Sequence, residues 1–281
     1  MSLEMAREIT PHLVKLPDGI SEFSFAGLYL FRYRYNYRVA MSGDLLVISG
    51  EREGKTFFIT PCCSTGMDII RELFASHDYW KLISPAFIEK NSVEMEKAGL
   101  IPVEDRDNFD YLYLRTDLAS LSGKKFHKKR NHVNAFEHTY PDFSVRMLDA
   151  STIPDALIIL EEWVSHEDHP ENTDYQAAKE VLLHLEHFGM CGLVLYVANR
   201  PVAWTLAEFV ADGTSVAVHF EKARIDIRGS YQYINYAFAR SLPETVEFIN
   251  REQDLGDEGM RQAKMTYRPS GFVKKYRVDK T

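Results

Sequence analysis

Apolar positions along the chain recur with two periods. Short apolar runs at 45–49 (LLVIS) and 56–60 (TFFIT) flank the polar stretch GEREGK, which predicts a β-hairpin. Helices are expected over 21–35 (SEFSFAGLYLFRYRY, with Ser as N-cap), 66–77 and 86–99, the last closed by a glycine, with a strand at 81–84. FDYLYLR at 109–115 alternates as a strand does, and TDLASLS at 116–122 interrupts the pattern. The pattern then restarts, with a helix to about 140, a strand at 143–148 and helices near 152–166 and 174–188. Three strands follow (GLVLYVA, VAWTLAEFV, SVAVHF), two of them joined by the turn signal ADGT. Apolar residues at 231, 234, 238 and 242 mark one helical face. VEFI, a helix near 257–267 and a strand FVKKYRV at 272–278 end the chain. Both halves are therefore read as mixed α/β, with modules at 1–118 and 119–281.

Composition narrows the class. With 281 residues, 45% apolar and 26% charged, the chain is long enough for two packed modules and too apolar for disorder. The net charge of -8 argues against general nucleic-acid affinity, though not against a local basic patch. Cys62, Cys63 and Cys191 form no metal or redox spacing, and the adjacent pair is poorly disposed to bridge, so a reduced, cytoplasmic compartment is expected. No secretory leader is recognised, and no apolar run approaches the roughly 20 residues of a membrane span.

Three segments carry candidate chemistry. GKKFHKKR (123–130) gathers Lys124, Lys125, Lys128, Lys129 and Arg130 on one helix with no acid before Glu137. That is either a solvated face or a cradle for a polyanion. In VHFEKARIDIRGSYQYINYAF, His219 and Glu221 share one side of a strand, opposite Phe220 and Lys222. Arg228-Gly229-Ser230 then precedes a helix, where free N–H groups favour an anion. In NREQDLGDEGMRQAKMTYRP, Asp257 reads as an N-cap after Asp254, and Lys264 and Tyr267 lie one turn apart. A tyrosine in such a place can act as a general acid. HEDH (166–169) lacks a third ligand at standard spacing, so no metal is expected.

Taken in order, SEFSFAGLYLFRYRY, DNFDYLYLRTDLASLSGKKFHKKRNHVNAF, HFEKARIDIRGSYQYIN and INREQDLGDEGMRQAKMTYRPSGFVKKY resemble an uncharacterised bacterial family similar to the soluble C-terminal domain of phosphatidylglycerol lysyltransferases. The resemblance implies two tandem modules of the acyl-CoA N-acyltransferase (GNAT) type. It also implies relatives that move an aminoacyl group from aminoacyl-tRNA onto a lipid or a peptide amine. GNAT enzymes hold acyl-CoA through [QR]-x-x-G-x-[GA] before a helix. Here Arg228, Gly229, Ser230 and Gln232 occupy that place, but Ile227 stands where a reading from Arg224 needs glycine, and a reading from Asp226 begins on an acid.

The expected reaction is attack of an amine or hydroxyl on an activated ester or thioester, with no further cofactor required. Glu221 or His219 would take the proton, and Tyr231 or Tyr267 would protonate the leaving group. Backbone N–H groups at a splayed or bulged strand would hold the oxyanion. Lys222 and Lys264 join the five basic residues as the phosphate-binding set. The donor is expected to be aminoacyl-tRNA. The alternatives are acyl-CoA, or an inactive GNAT-like binding module.

Overall fold

The computed structural model describes residues 1–13, 16–61 and 65–280. The first sheet is built from β1 (Arg38–Ser42), β2 (Leu45–Arg52), β3 (Lys55–Ile59), β4 (Tyr79–Ile83), β5 (Val103–Glu104) and the last strand, β13 (Tyr276–Asp279). Its order is β1-β2-β3-β4-β13-β5. The second comprises β6 (Asp110–Leu114), β7 (Phe143–Met147), β8 (Cys191–Val197), β9 (Arg200–Val210), β10 (Ser215–Ala223), β11 (Phe248–Asn250) and β12 (Gly271–Val273). Its order is β12-β6-β11-β10-β9-β8-β7. These are the mixed α/β sheets that the sequence leads one to expect. Their strands cross over, because β6 lies in the second sheet and β13 returns to the first.

Turn chemistry sets both long hairpins. Glu53 and Gly54 both take positive φ (53° and 73°), which a two-residue loop between β2 and β3 needs. Ala211, Asp212 and Gly213 do the same between β9 and β10 (50°, 52° and 81°).

Helices α1 (Ala6–Leu13), α2 (Phe25–Leu30), α3 (Met67–Leu73), α4 (Pro85–Lys97) and α5 (Arg115–Ser120) belong to the first half of the chain. The second half contributes α6 (His127–Thr139), α7 (Ile153–Val164), α8 (Tyr175–Leu183), α9 (Ser230–Ser241) and α10 (Glu258–Met265). Period-two alternation along β9 sends Trp204 and Leu206 to one face of the second sheet and Ala203 and Ala207 to the other. On the first face, α7 and α8 meet α1 and α2 in a core shared by both modules. There Phe25 and Tyr29 contact Phe188 at 6.2 and 5.6 Å between ring centroids. Arg32 fastens the same junction by binding both carboxylate oxygens of Glu180 (3.0 and 2.7 Å). The opposite face carries α5, α6 and α9.

Some expectations needed correction. Residues 116–122 do not break the pattern; most of them continue helix α5, held by the fully buried Leu118 and ended by Leu121 at φ 49°. The strand expected over 272–278 is two strands, β12 and β13, one in each sheet. The reason is Lys275, which leaves the strand path with its ammonium inside the protein. It donates to Asp110 (2.6 Å) and to Glu22, while Asp110 also accepts from Ser21 N (2.9 Å) and Asn250 Nδ2 (3.0 Å). Three further elements were missed, α1, the largely exposed β1 and the two-residue β5, and the helix expected over 21–35 is only α2. Cys62 and Cys63 lie outside the described residues, and Cys191 is a free, half-buried thiol.

Breaking a buried ion pair strands the remaining charge. Lys275→Met is therefore expected to lower the unfolding free energy by about 3–5 kcal/mol, read from urea unfolding.

Candidate active site

Strands β10 and β11 pair in parallel only over Ser215–Ala217 and Phe248–Asn250. β11 then ends, while β10 continues to Ala223 along β9. The uncovered edge of β10 opens onto a cavity of ≈ 590 Å³, walled on its other side by residues of the first half. His219 is an extra residue in β10, because Val218 pairs with Ala207 and Phe220 with Leu206. Such a bulge re-aims side chains. His219, Glu221, Lys222, Tyr231 and Lys264 all line the cavity. Lys222 was expected on the opposite side of the strand, but at an uncovered edge side chains of both faces reach the opening.

Charged pairs span the gap left by β11. His219 Nδ1 meets Glu252 at 2.7 Å and Nε2 meets Glu208 at 3.3 Å. Arg251 donates to Glu221 at 2.9 Å, and Asn235 donates to the other Glu221 oxygen at 3.4 Å. Lys222 holds both oxygens of Asp174 (2.7 and 2.8 Å) with its ammonium 3.8 Å from the Trp163 ring. Behind them, Lys264 donates to the carbonyls of Arg251 (2.7 Å), Glu252 (3.1 Å) and Gln253 (2.5 Å), which fixes the loop; burial holds it down to about 8. Asp254 anchors the same loop from full burial. It accepts from Tyr111 (2.5 Å) and Arg261 (3.0 and 2.9 Å), and these bonds outweigh burial and hold its carboxyl well below the usual range. Asp257 caps α10 through Met260 N (2.6 Å), as expected.

The two tyrosines separate. Tyr231 lines the cavity, whereas Tyr267 lies behind Arg251, its ring between the Arg251 guanidinium (5.2 Å) and the Lys129 ammonium (3.7 Å). Burial pushes both hydroxyls up to about 12, so both stay protonated at neutral pH. Arg228, Gly229, Ser230 and Gln232 do not line the cavity, although Tyr231 between them does. Arg228 is exposed, Ser230 Oγ binds the Arg224 carbonyl (3.3 Å), and Gln232 is half-buried. Gly229, at φ 91°, faces α6, where a Cβ would stand 3.2 Å from that of Phe136. Its glycine thus serves close helix packing.

The basic helix is partly committed to structure. Lys125 pairs with Asp117 (2.7 Å), Arg130 donates to the carbonyls of Leu121 and Gly123, and burial pushes Lys129 down to about 8 against Tyr267. Lys124 and Lys128 remain exposed. His166 and His169 of HEDH are exposed too, and His169 faces Glu171 at 3.3 Å. Sequence reasoning missed Arg251, Glu252, Glu208, Asp174 and Lys81. One signal was available, since KLIS puts Lys81 alone among apolar neighbours in a strand.

His219 has no free lone pair in this geometry. Burial disfavours its charged ring, but the bonds to Glu208 and Glu252 prevail and raise its pKa from 6.5 to about 10. A raised folded-state pKa adds stability that is complete below pH 6.5 and is lost as pH climbs towards 10. Lys264 and Lys129 shift oppositely, so the contribution is isolated by difference. The stability gap between wild type and His219→Gln is expected to narrow from pH 6 to pH 10, measured by denaturant unfolding at each pH.

Comparison with known proteins matches this geometry to a family. Residues 14–279 match the family model described as phosphatidylglycerol lysyltransferase, C-terminal. A conserved protein of unknown function from Bacteroides thetaiotaomicron is 30% identical, with a TM-score of 0.88 over 100% of this chain and 98% of that one. The C-terminal domain of a putative lysylphosphatidylglycerol synthetase from Agrobacterium fabrum superposes with a TM-score of 0.66 at 15% identity, over 99% of this chain and 91% of that one. L-PGS from Bacillus licheniformis does so with 0.62 at 12%, over 90% of each chain. An uncharacterized protein of Mycoplasmoides gallisepticum is 22% identical over 60% of this chain, and the match spans 55% of that protein's length. Among the described residues no helix is long and apolar enough to cross a membrane. This chain is a member of the phosphatidylglycerol lysyltransferase C-terminal family.

Proposed function

We propose that the chain transfers an aminoacyl group from aminoacyl-tRNA to an amine or hydroxyl acceptor held at the open edge of β10. The observation that carries this reading is the parting of β10 and β11 over a large cavity lined by charged side chains, in a chain of this family. The acceptor lone pair attacks the ester carbonyl carbon. The new C–N or C–O bond forms as the bond to the tRNA ribose oxygen breaks. The acceptor's proton passes to Glu221, and the ribose oxygen takes a proton from Tyr231. His219, with both nitrogens filled, serves as a fixed cation beside the developing oxyanion rather than as a base. Tyr267 and Lys222 position Arg251 and Asp174 from outside the reacting centre.

The tRNA backbone would lie along the start of α6 and the turn before it, where Lys124, Lys125 and Lys128 are exposed. Gly229 packs against α6 and Arg228, Ser230 and Gln232 stay out of the cavity, which favours a donor other than acyl-CoA.

Filter binding of aminoacyl-tRNA across a salt series tests this reading. Wild type is expected to show a steep fall of log affinity with log salt. Changing Lys124, Lys125 and Lys128 together to Ala is expected to flatten that slope by roughly one per lost phosphate contact. Arg130 and Lys129 are kept because they are half-buried against the protein, whereas Lys125 and its pair with Asp117 lie at the surface. Equal, weak binding by both proteins contradicts the proposal.

A further inference from the structure

Four carboxylates line the cavity, and each has a cationic partner: Glu22 with Lys275, Asp174 with Lys222, Glu221 with Arg251 and Glu252 with His219. The cations are not all matched in return. Lys264 is spent on backbone carbonyls, and Arg34 stands exposed, 3.5 Å from the Asn172 carbonyl. Lys81 differs from both. It lines the cavity at 7% exposure and, among the described residues, has neither a hydrogen bond nor an ion pair. Its ammonium rests only against the rings of Phe57 (4.2 Å) and Tyr35 (5.0 Å).

The backbone at this point is shaped to put it there. β4 pairs Trp80 with Val278 and Ile83 with Tyr276, so Lys81 and Leu82 together oppose Arg277 alone. Leu82 takes φ 58° to make this bulge, a conformation that a branched side chain adopts only under constraint. The first sheet thus mirrors the second, each aiming one charged side chain into the cavity from a bulge. An ammonium without a partner on so nearly buried a side chain is unfavourable, and burial pushes it down to about 8 despite the Glu22 carboxylate nearby. Aromatic rings alone compensate weakly.

We infer that Lys81 is the residue that binds an anionic group of the acceptor, a carboxylate or a phosphodiester, and so sets acceptor specificity from the first module. The acceptor is the natural owner of that group. α6, the basic element assigned to the donor, packs on the opposite face of the second sheet from the core that joins the two modules. The inference rests on the transfer reading for the word acceptor, while the anion site itself does not.

Isothermal titration calorimetry on the full chain tests it, with glycerophosphoglycerol as the phosphodiester, N-acetylglycine as the carboxylate and glycerol as the uncharged control. One of the anions is expected to bind and thereby name the class, while glycerol does not bind. Lys81→Met should weaken that binding about tenfold or more, and Lys81→Arg should largely retain it. Removing an unpaired buried charge should also raise Tm by roughly 2–4 °C in Lys81→Met, which excludes misfolding as the cause of lost binding. Binding of neither anion, unchanged binding by Lys81→Met, or a fall in its Tm would overturn the inference; the last would make Lys81 a structural counter-charge for Glu22. Failure of tRNA binding on the Lys124, Lys125 and Lys128 variant series would instead strike the transfer reading and leave these isotherms unmoved.

Discussion

Two parallel strands that separate after three paired residues create the central constraint of this molecule. The edge of β10 is polar backbone facing an interior space, and the protein must neither bury it bare nor seal it with another strand. The solution is a line of side-chain ion pairs across the gap, His219 to Glu252 and Glu221 to Arg251. The loop that supplies one half of each pair is itself pinned by Lys264 and Asp254. Everything around the cavity follows from keeping that gap open yet rigid. The bulge at His219, the left-handed turn through Glu252, Leu255 and Gly256, and the N-capped start of α10 all serve that end.

The modules are joined by the same logic. Lys275 crosses from the last strand of the second sheet into the first, and its ammonium is satisfied by Asp110 and Glu22 together. Asp110 in turn holds Ser21 and Asn250, the final residue of β11. The strand end that opens the cavity is therefore fixed by a network that ties both sheets. The charged side chains that face the cavity from the two sheets keep their spacing because this network and the Phe25, Tyr29 and Phe188 cluster are stiff.

Much of the fold was legible because periodicity and turn chemistry are local. The β2–β3 hairpin, the β9–β10 turn, α9 and the Asp257 cap all follow from residues within a few positions of one another. What failed was non-local. The split of FVKKYRV depends on a carboxylate 165 residues away in Asp110, and α5 depends on a core that Leu118 fills. The site divides in the same way. His219, Glu221, Lys222, Tyr231 and Lys264 lie together at the cavity, since one strand, the helix after it and α10 present them. Tyr267 and the neighbours of Tyr231 in its turn (Arg228, Gly229, Ser230 and Gln232) lie elsewhere, because a motif's spacing says nothing of which wall it faces. Arg251 and Glu252 were passed over as loop charges. Their meaning depends on how far β11 extends, which no local pattern records.

Direct assay of group transfer is the decisive measurement. The chain would be supplied with tRNA charged with labelled amino acids and a mixture of lipid and peptide acceptors, and movement of label off tRNA would be followed for wild type and Glu221→Gln. The account predicts transfer to an amine or hydroxyl by wild type, slowed about 10²–10⁴-fold by the substitution with tRNA affinity unchanged. No transfer from any aminoacyl-tRNA, or transfer indifferent to Glu221, would contradict it.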